Sequence, residues 1–491
     1  MKIAFAAGEV VPFAKTGGLG DVCGALPREL EKLGEEVKVF MPKYFGVDNE
    51  VFDIELITSI SPMQISVAGT DYDVSIHKSL LPGSHVEIYF IDCPHFFHRT
   101  KLYTDDWDED QRFICFSKAV IETMQRLGWA PDVVHCNDWQ TGLIPLYLKE
   151  NYAWDKLFEH TSSLFTIHNI GYQGKFLHKT LANAEIDPDI FYKGGRIEHD
   201  GLVNFLKTGI SFSDIINTVS ETYARELLTP EYSYGMDVVL QYRRKDFYGV
   251  INGVDYSVWN PETDKLIPFN YSINDLSGKE ENKKKLLKDF SMPYKKETPL
   301  VGIVSRFAIQ KGFDLIFEAI DDLMKMDIQL VVLGSGEKKY EKMFRQLNEE
   351  MPEKIGVYVG YNEELAHSVE ASADMFLMPS HYEPCGLNQI YSLKYGTIPV
   401  VRKTGGLADT VQDWNEYSLK GIDTGTGFSF DEYEVEPMLD ALQRAVDAFH
   451  NKPVWKKIQH NGMKKDFSWE KSAKLYNGLY RKANSKRQTG L

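Results

Sequence analysis

Cysteine is scarce in this chain, with five in 491 residues (Cys23, Cys93, Cys115, Cys136, Cys385) and no CxxC pair. Scattered single cysteines argue against a disulfide framework or a structural zinc site and suit a reducing cytoplasm. No run of about eighteen apolar residues occurs, so no helical membrane span is expected. Basic residues are in deficit, with 55 Lys and Arg against 71 Asp and Glu, a formal charge of -16. That balance gives no general field for nucleic acid or an anionic membrane, so a polyanionic ligand must meet a local basic site. The opening MKIAFAAGEV has only a short apolar run before a glycine-rich turn, and reads as a first β-strand, not a signal peptide.

The length exceeds what one hydrophobic core serves, so two or three domains are expected. Short apolar runs alternate with amphipathic ones. In the first half the strand candidates are Lys2–Ala7, Val37–Met41, Val86–Ile91, Asp132–Cys136, Leu164–Ile167 and Ile215–Val219. After Phe247–Ile251 the texture turns polar over 252–298, which reads as a domain crossing. Alternation then restarts with Leu300–Ser305, Gln329–Leu333, Val357–Val359, Met375–Met378 and Pro399–Val401 as strands. Nearly continuous apolar strands between helices indicate parallel sheets covered on both faces. The fold class is therefore α/β, with domains over 1–250 and 251–468. An internal echo supports the pairing: KTGGLGD at 15–21 and KTGGLAD at 403–409 each follow a strand and open a helix.

Several segments carry chemistry. In Lys15-Thr16-Gly17-Gly18-Leu19-Gly20-Asp21 the glycines allow close backbone approach, the helix end favours a phosphate, and Lys15 adds a cation. A dinucleotide site is disfavoured, because the second strand ends Val39-Phe40-Met41-Pro42 without an acid. Asp138 and His168 lie just past two strand ends, the edge where open α/β sheets bind ligands. Trp139, beside Asp138, is suited to stacking on a sugar ring. Arg306 and Lys311, five apart across a turn, can close on one diphosphate. In Pro379–Gln389 a strand ends, Glu383 precedes a proline, and a glycine opens a helix whose amides suit an anion. For each segment taken alone, a structural turn, cap or exposed loop is the competing reading.

Taken together, KTGGLGDV, HNIGYQG at 168–174, NGVD at 252–255, SRFAIQKG at 305–312 and EPCGLNQ at 383–389 resemble the bacterial glycogen synthase and plant starch synthase family. The resemblance covers nearly the whole chain. It implies a GT-B fold, two Rossmann-like doubly wound domains facing across a deep cleft, with 469–491 packing back on the first. It implies transfer of glucose from ADP-glucose to the non-reducing 4-OH of an α-1,4-glucan with retention, without a metal or other cofactor. The first domain is then the acceptor side and the second the nucleotide-sugar side. Arg306 and Lys311 would hold the diphosphate, and Lys15 with Gly17 and Gly18 would close over the sugar donor. Glu383 would contact the transferred glucose, and amides at Cys385, Gly386 and Leu387 its hydroxyls or the phosphates. His168 and Asp138 would orient sugar and acceptor. Asp21, Asn252, Asn388 and Trp139 would add substrate contacts, and Tyr361 would meet adenine.

One departure stands out: many retaining GT-B enzymes carry a second glutamate eight positions on, and here that residue is Tyr391. Asn388 also differs from the commoner hydroxyl residue. Asp106-Trp107-Asp108-Glu109-Asp110 contains a DxD pattern, a metal motif in other sugar-nucleotide enzymes, but reads as a solvated acidic loop. A sucrose synthase-like or small-acceptor transferase is the nearest rival, and a catalytically silent glucan-binding scaffold the rival from another class. A cytoplasmic enzyme is expected, and a processed plastid enzyme would read the same.

Overall fold

The computed structural model describes residues 1–489. The chain divides into two compact units. One comprises Met1–Val219, Ala224–Gly253 and the chain from Trp469 onward; the other comprises Ser220–Tyr223 and Val254–Ser468.

The first unit contains β1 (Lys2–Ala6), β2 (Glu36–Pro42), β3 (Glu55–Leu56), β4 (Met63–Val67), β5 (Thr70–Leu80), β6 (Glu87–Asp92), β7 (Val133–Asn137), β8 (Ser162–Ile167), β9 (Lys175–Phe176), β10 (Glu198–His199), β11 (Leu202–Asn204), β12 (Ile215–Thr218) and β13 (Phe247–Gly249). The main sheet runs β13-β12-β8-β7-β1-β2-β6-β5-β3. Strands β7 and β8 are buried at every residue, as a parallel sheet covered on both faces requires. The winding reverses at β1: β2 and β6 extend to one side, and β7, β8, β12 and β13 to the other. That reversal opens a crevice beyond the carboxyl ends of β1 and β7, bridged at its base by Asn137 Nδ2 donating to the Ala6 carbonyl. The β3–β5 margin is antiparallel, and β9–β11 form a small separate sheet.

The helix Trp469–Thr489 belongs to this unit. It anchors by polar contacts in the core. Tyr480 Oη lies 2.8 Å from His135 Nδ1, His135 Nε2 lies 2.7 Å from Thr166 Oγ1, and Asn217 Nδ2 donates to Tyr476 Oη. Burial holds His135 well below its ordinary value, so the ring is neutral. Residues 490 and 491 of the expected 469–491 segment lie outside the described residues.

The second unit contains β14 (Leu300–Val304), β15 (Gln329–Gly334), β16 (Ile355–Val359), β17 (Met375–Met378), β18 (Ile398–Arg402) and β19 (Phe428–Phe430). All pair in parallel in the order β16-β15-β14-β17-β18-β19. The winding again reverses at the first strand, between β14 and β17. The polar stretch 252–298 is more than a crossing. Its helix Ser277–Asp289 buries Leu286 and Leu287 against Val331, Val369 and Phe376. The lysine-rich composition hid it, because Lys279 and Lys283 are themselves buried, Lys283 Nζ donating to Asp374 Oδ2 at 2.7 Å.

Tyr480→Phe removes the partner of a fully buried imidazole. It should cost the first unit about 1–3 kcal/mol, read as a lower denaturation midpoint. An unchanged midpoint would show that the His135–Tyr480 contact does not anchor the helix.

Candidate functional site

At the first unit's crevice, the chain leaving β1 reaches Glu9, a buried carboxylate with an immediate use. It accepts from Thr16 N at 2.5 Å, Thr16 Oγ1 at 2.6 Å and Gly17 N at 3.2 Å. Glu9 thereby fixes the turn that enters the helix Gly18–Lys32, which has no side-chain cap at Gly17. A Cβ added at Gly17 or Gly18 would meet nothing within 4 Å, so the turn presents its backbone to open space. Lys15 Nζ donates to Asp21 Oδ1 at 2.7 Å, with Lys15 exposed and Asp21 half-buried. A surface pair of this kind is worth roughly 0–1 kcal/mol, so Lys15 exchanges partners at little cost.

Beyond β7, Asp138 has φ of 57° with ψ of -178°, a positive-φ conformation uncommon for a residue with a side chain. Its Oδ1 accepts from His168 N at 2.7 Å, which ties the loop after β7 to the loop after β8. Burial pushes the Asp138 carboxyl up to about 7, while the amides of His168 and Asn169 pull the other way. His168 Nε2 lies 2.9 Å from Asn137 Oδ1. Because the Asn137 amide is donated to Ala6, Oδ1 accepts and Nε2 carries the proton. Burial lowers His168 to about 3, so it is a neutral ring whose Nδ1 can accept. Asn252 is buried with Oδ1 lacking a hydrogen-bond partner among the described residues.

The second unit's crevice lies between the loops that follow β14 and β17. Lys311 Nζ donates to Glu383 Oε2 at 2.5 Å, and Ser380 Oγ donates to the same oxygen at 3.1 Å. Glu383 is only 4% exposed. Arg306, exposed on the Lys311 loop, donates from Nη2 to Gln310 Oε1 at 3.2 Å. Gly386 has φ of 67° and leads through Cys385–Leu387 into the helix Asn388–Tyr395, which again has no side-chain cap. Tyr361, two residues past β16, is 80% exposed.

The two KTGG turns, alike in sequence, differ in use. Gly405, with φ of 44°, would place a Cβ 1.9 Å from the Glu383 carbonyl oxygen, and Gly406 would place one 1.9 Å from that of Cys385. Gly406 N donates to the Glu383 carbonyl at 3.1 Å. The second turn is thus a bed for the Glu383–Cys385 backbone, whereas the first faces outward.

Two expectations need correction, those on Trp139 and on the acidic run, and Asn388 has a partner within the unit. Trp139 is a core residue and no sugar platform: Phe113 stands 4.7 Å away edge-on, and Gly174 approaches so closely that a Cβ there would lie 2.4 Å from the indole. Asn388 spends its amide on the Val304 carbonyl at 2.8 Å, locking the helix to the end of β14. The acidic run is not a solvated loop: Asp108, Glu109 and Asp110 are buried. Asp108 pairs with Arg99, Glu109 with Arg112, and Asp110 accepts from Thr180 Oγ1 at 2.7 Å. The missing second glutamate has a structural counterpart, since the Tyr391 ring stacks at 3.9 Å on Trp259, which stacks in turn on His367. Sequence reasoning missed Glu9, Asn137 and Ser380. Glu9 and Asn137 carry the same signal as Asp138, a polar residue at the carboxyl end of a central strand.

Residues 2–242 match the family model described as starch synthase catalytic domain, and residues 284–460 match glycosyl transferases group 1. The chain is 46% identical over 491 residues to glycogen synthase of Thermosipho africanus, covering 99% of this chain and 100% of that one. It is 45% identical over 489 residues to that of Thermotoga maritima, covering 99% of each. Among solved structures it is similar to the catalytic domain of starch synthase IV from Arabidopsis thaliana bound to ADP and acarbose, with a TM-score of 0.90 and 33% identity over 99% of each chain.

Two outcomes check this geometry. The C2 proton of His168 should not titrate between about pH 5 and about pH 8, because the ring stays neutral. The unfolded chain protonates this ring below its ordinary 6.5 while the folded chain resists until about 3. His168 therefore costs stability as pH falls through that window, and an inflection near neutrality would contradict the burial. Gly17→Ala should leave thermal unfolding unchanged, while Gly406→Ala should cost about 1–3 kcal/mol by forcing backbone apart.

Proposed function

Because this chain belongs to the glycogen and starch synthase family, we propose that it elongates an α-1,4-glucan, taking glucose from ADP-glucose and adding it to the non-reducing 4-OH with retention. Its fold is GT-B, built of two Rossmann-like α/β units. The observation that carries the reading is the Lys311–Glu383 pair at the second unit's switch point, on the loops beside Arg306. A carboxylate pressed against a diphosphate site is unfavourable unless a cation shares it, and Lys311 supplies that cation.

As the glycosidic bond breaks, negative charge grows on ADP and positive charge on the glucose. Arg306 and Lys311 stabilise the first, and Cys385–Leu387 amides at the uncapped helix add fixed dipoles. Glu383 faces the second. Retention follows by same-face attack of the acceptor hydroxyl, the departing phosphate taking its proton. The second unit therefore takes the nucleotide sugar, with Tyr361 offered to adenine.

On the first unit, Lys15, Asp21 and the Gly17–Gly18 turn take substrate. His168 accepts a sugar hydroxyl at Nδ1, Asp138 holds the His168 loop in place, and Asn252 offers its buried Oδ1. No cofactor is required, since the cations of the chain neutralise the diphosphate. The enzyme acts in the cytoplasm; no helix among the described residues is long and apolar enough to cross a membrane.

Lys311→Ala and Glu383→Ala should each reduce radiolabel transfer from ADP-glucose into glycogen by at least about 10²–10³ while the chain still folds, with a lowered thermal midpoint in Lys311→Ala because Glu383 then lacks its cation. Near-normal turnover in both would refute the assignment. In donor competition, ADP-glucose should outcompete UDP-glucose; equal use would remove the ADP part of the reading.

A further inference from the structure

Glu383 is held by more than its ion pair. Both side-chain contacts converge on one oxygen: Lys311 Nζ at 2.5 Å and Ser380 Oγ at 3.1 Å reach Oε2. Oε1 has no hydrogen-bond partner among the described residues. The main chain is held as well, by Gly406 N on the Glu383 carbonyl and by the close approach of Gly405. Ser380 is itself only 1% exposed, so its hydroxyl has no competing solvent. A carboxylate with two equivalent oxygens rotates freely unless something distinguishes them. Here two donors mark Oε2 as the anchored oxygen.

We infer that Ser380 is a positioning residue: it pins Glu383 Oε2, so that Oε1 alone addresses the sugar and the carboxylate keeps its aim when Lys311 turns to the diphosphate. Lys311 serves two anions in the proposed reaction, the carboxylate and the diphosphate. A lysine is a flexible point charge and fixes no orientation by itself. Ser380 is three residues from Glu383 on the same loop, and its hydroxyl has no part in holding the diphosphate. The second KTGG turn, which the reaction does not otherwise use, supplies the rigid bed for this arrangement. The inference rests on Glu383 as the residue that meets the transferred glucose.

The test is a double-mutant cycle on glycogen elongation with Ser380→Ala, Glu383→Gln and the double variant. Ser380→Ala removes one small buried hydroxyl while Lys311 still holds Oε2, so the chain should fold, its thermal midpoint lowered by no more than one buried hydrogen bond. Its kcat should fall about tenfold to about a hundredfold, the scale of a hydrogen bond to a charged group, while KM for ADP-glucose and for glycogen hold. The double variant should be no slower than Glu383→Gln alone, because a serine that acts only through Glu383 has nothing left to orient. Unchanged kcat in Ser380→Ala, or full additivity in the double variant, would overturn the inference. Full activity in Glu383→Gln would instead overturn the assignment of Glu383, whatever Ser380 does.

Discussion

The chemistry proposed for the second unit turns on a single ion pair. Lys311 and Glu383 come from loops after β14 and β17, distant in sequence and adjacent only because the sheet reverses its winding there. The pair answers an electrostatic difficulty. In the proposed reaction an anionic leaving group and a carboxylate meet near the same sugar, and they repel. One lysine shared between them makes the arrangement tolerable, and burial of the carboxylate makes the attraction count.

Everything around that pair is arranged to hold it still. Ser380 and Lys311 meet one oxygen, Gly406 takes the backbone carbonyl, and Asn388 locks the following helix to the end of β14. The first unit repeats the logic with other residues. Glu9 holds a glycine turn, Asn137 bridges β7 to β1, and Asp138 accepts the strain of a positive φ to staple the His168 loop. In both units the rigid parts are inner residues at a switch point, and the outward parts are backbone amides and exposed cations.

Much of this was legible in the sequence. Parallel strands announced themselves as apolar runs, and Met375–Met378 was placed to the residue. The antiparallel margin was not, because strands such as Thr70–Leu80 carry Asp, Lys and Ser on a half-solvated face. The helix Glu109–Arg126 was lost behind an acidic start that the structure buries through Arg99 and Arg112. Spacing could bring Arg306 and Lys311 to one loop and Glu383 to another. It could not show that Lys311 reaches Glu383, nor that Trp139 turns inward while His168 stays at the crevice. The two KTGG turns mark the limit most clearly: identical letters, one open to space and one filled by another loop's backbone.

The most direct test separates the two jobs assigned to the pair. Calorimetric titration of ADP should show strongly weakened binding to Lys311→Met and nearly undiminished binding to Glu383→Gln, since of these two residues the lysine is the one assigned to the diphosphate. Equal ADP affinity in Lys311→Met and the unaltered protein would contradict the account, because the crevice between β14 and β17 would then not be where the nucleotide's charge is met.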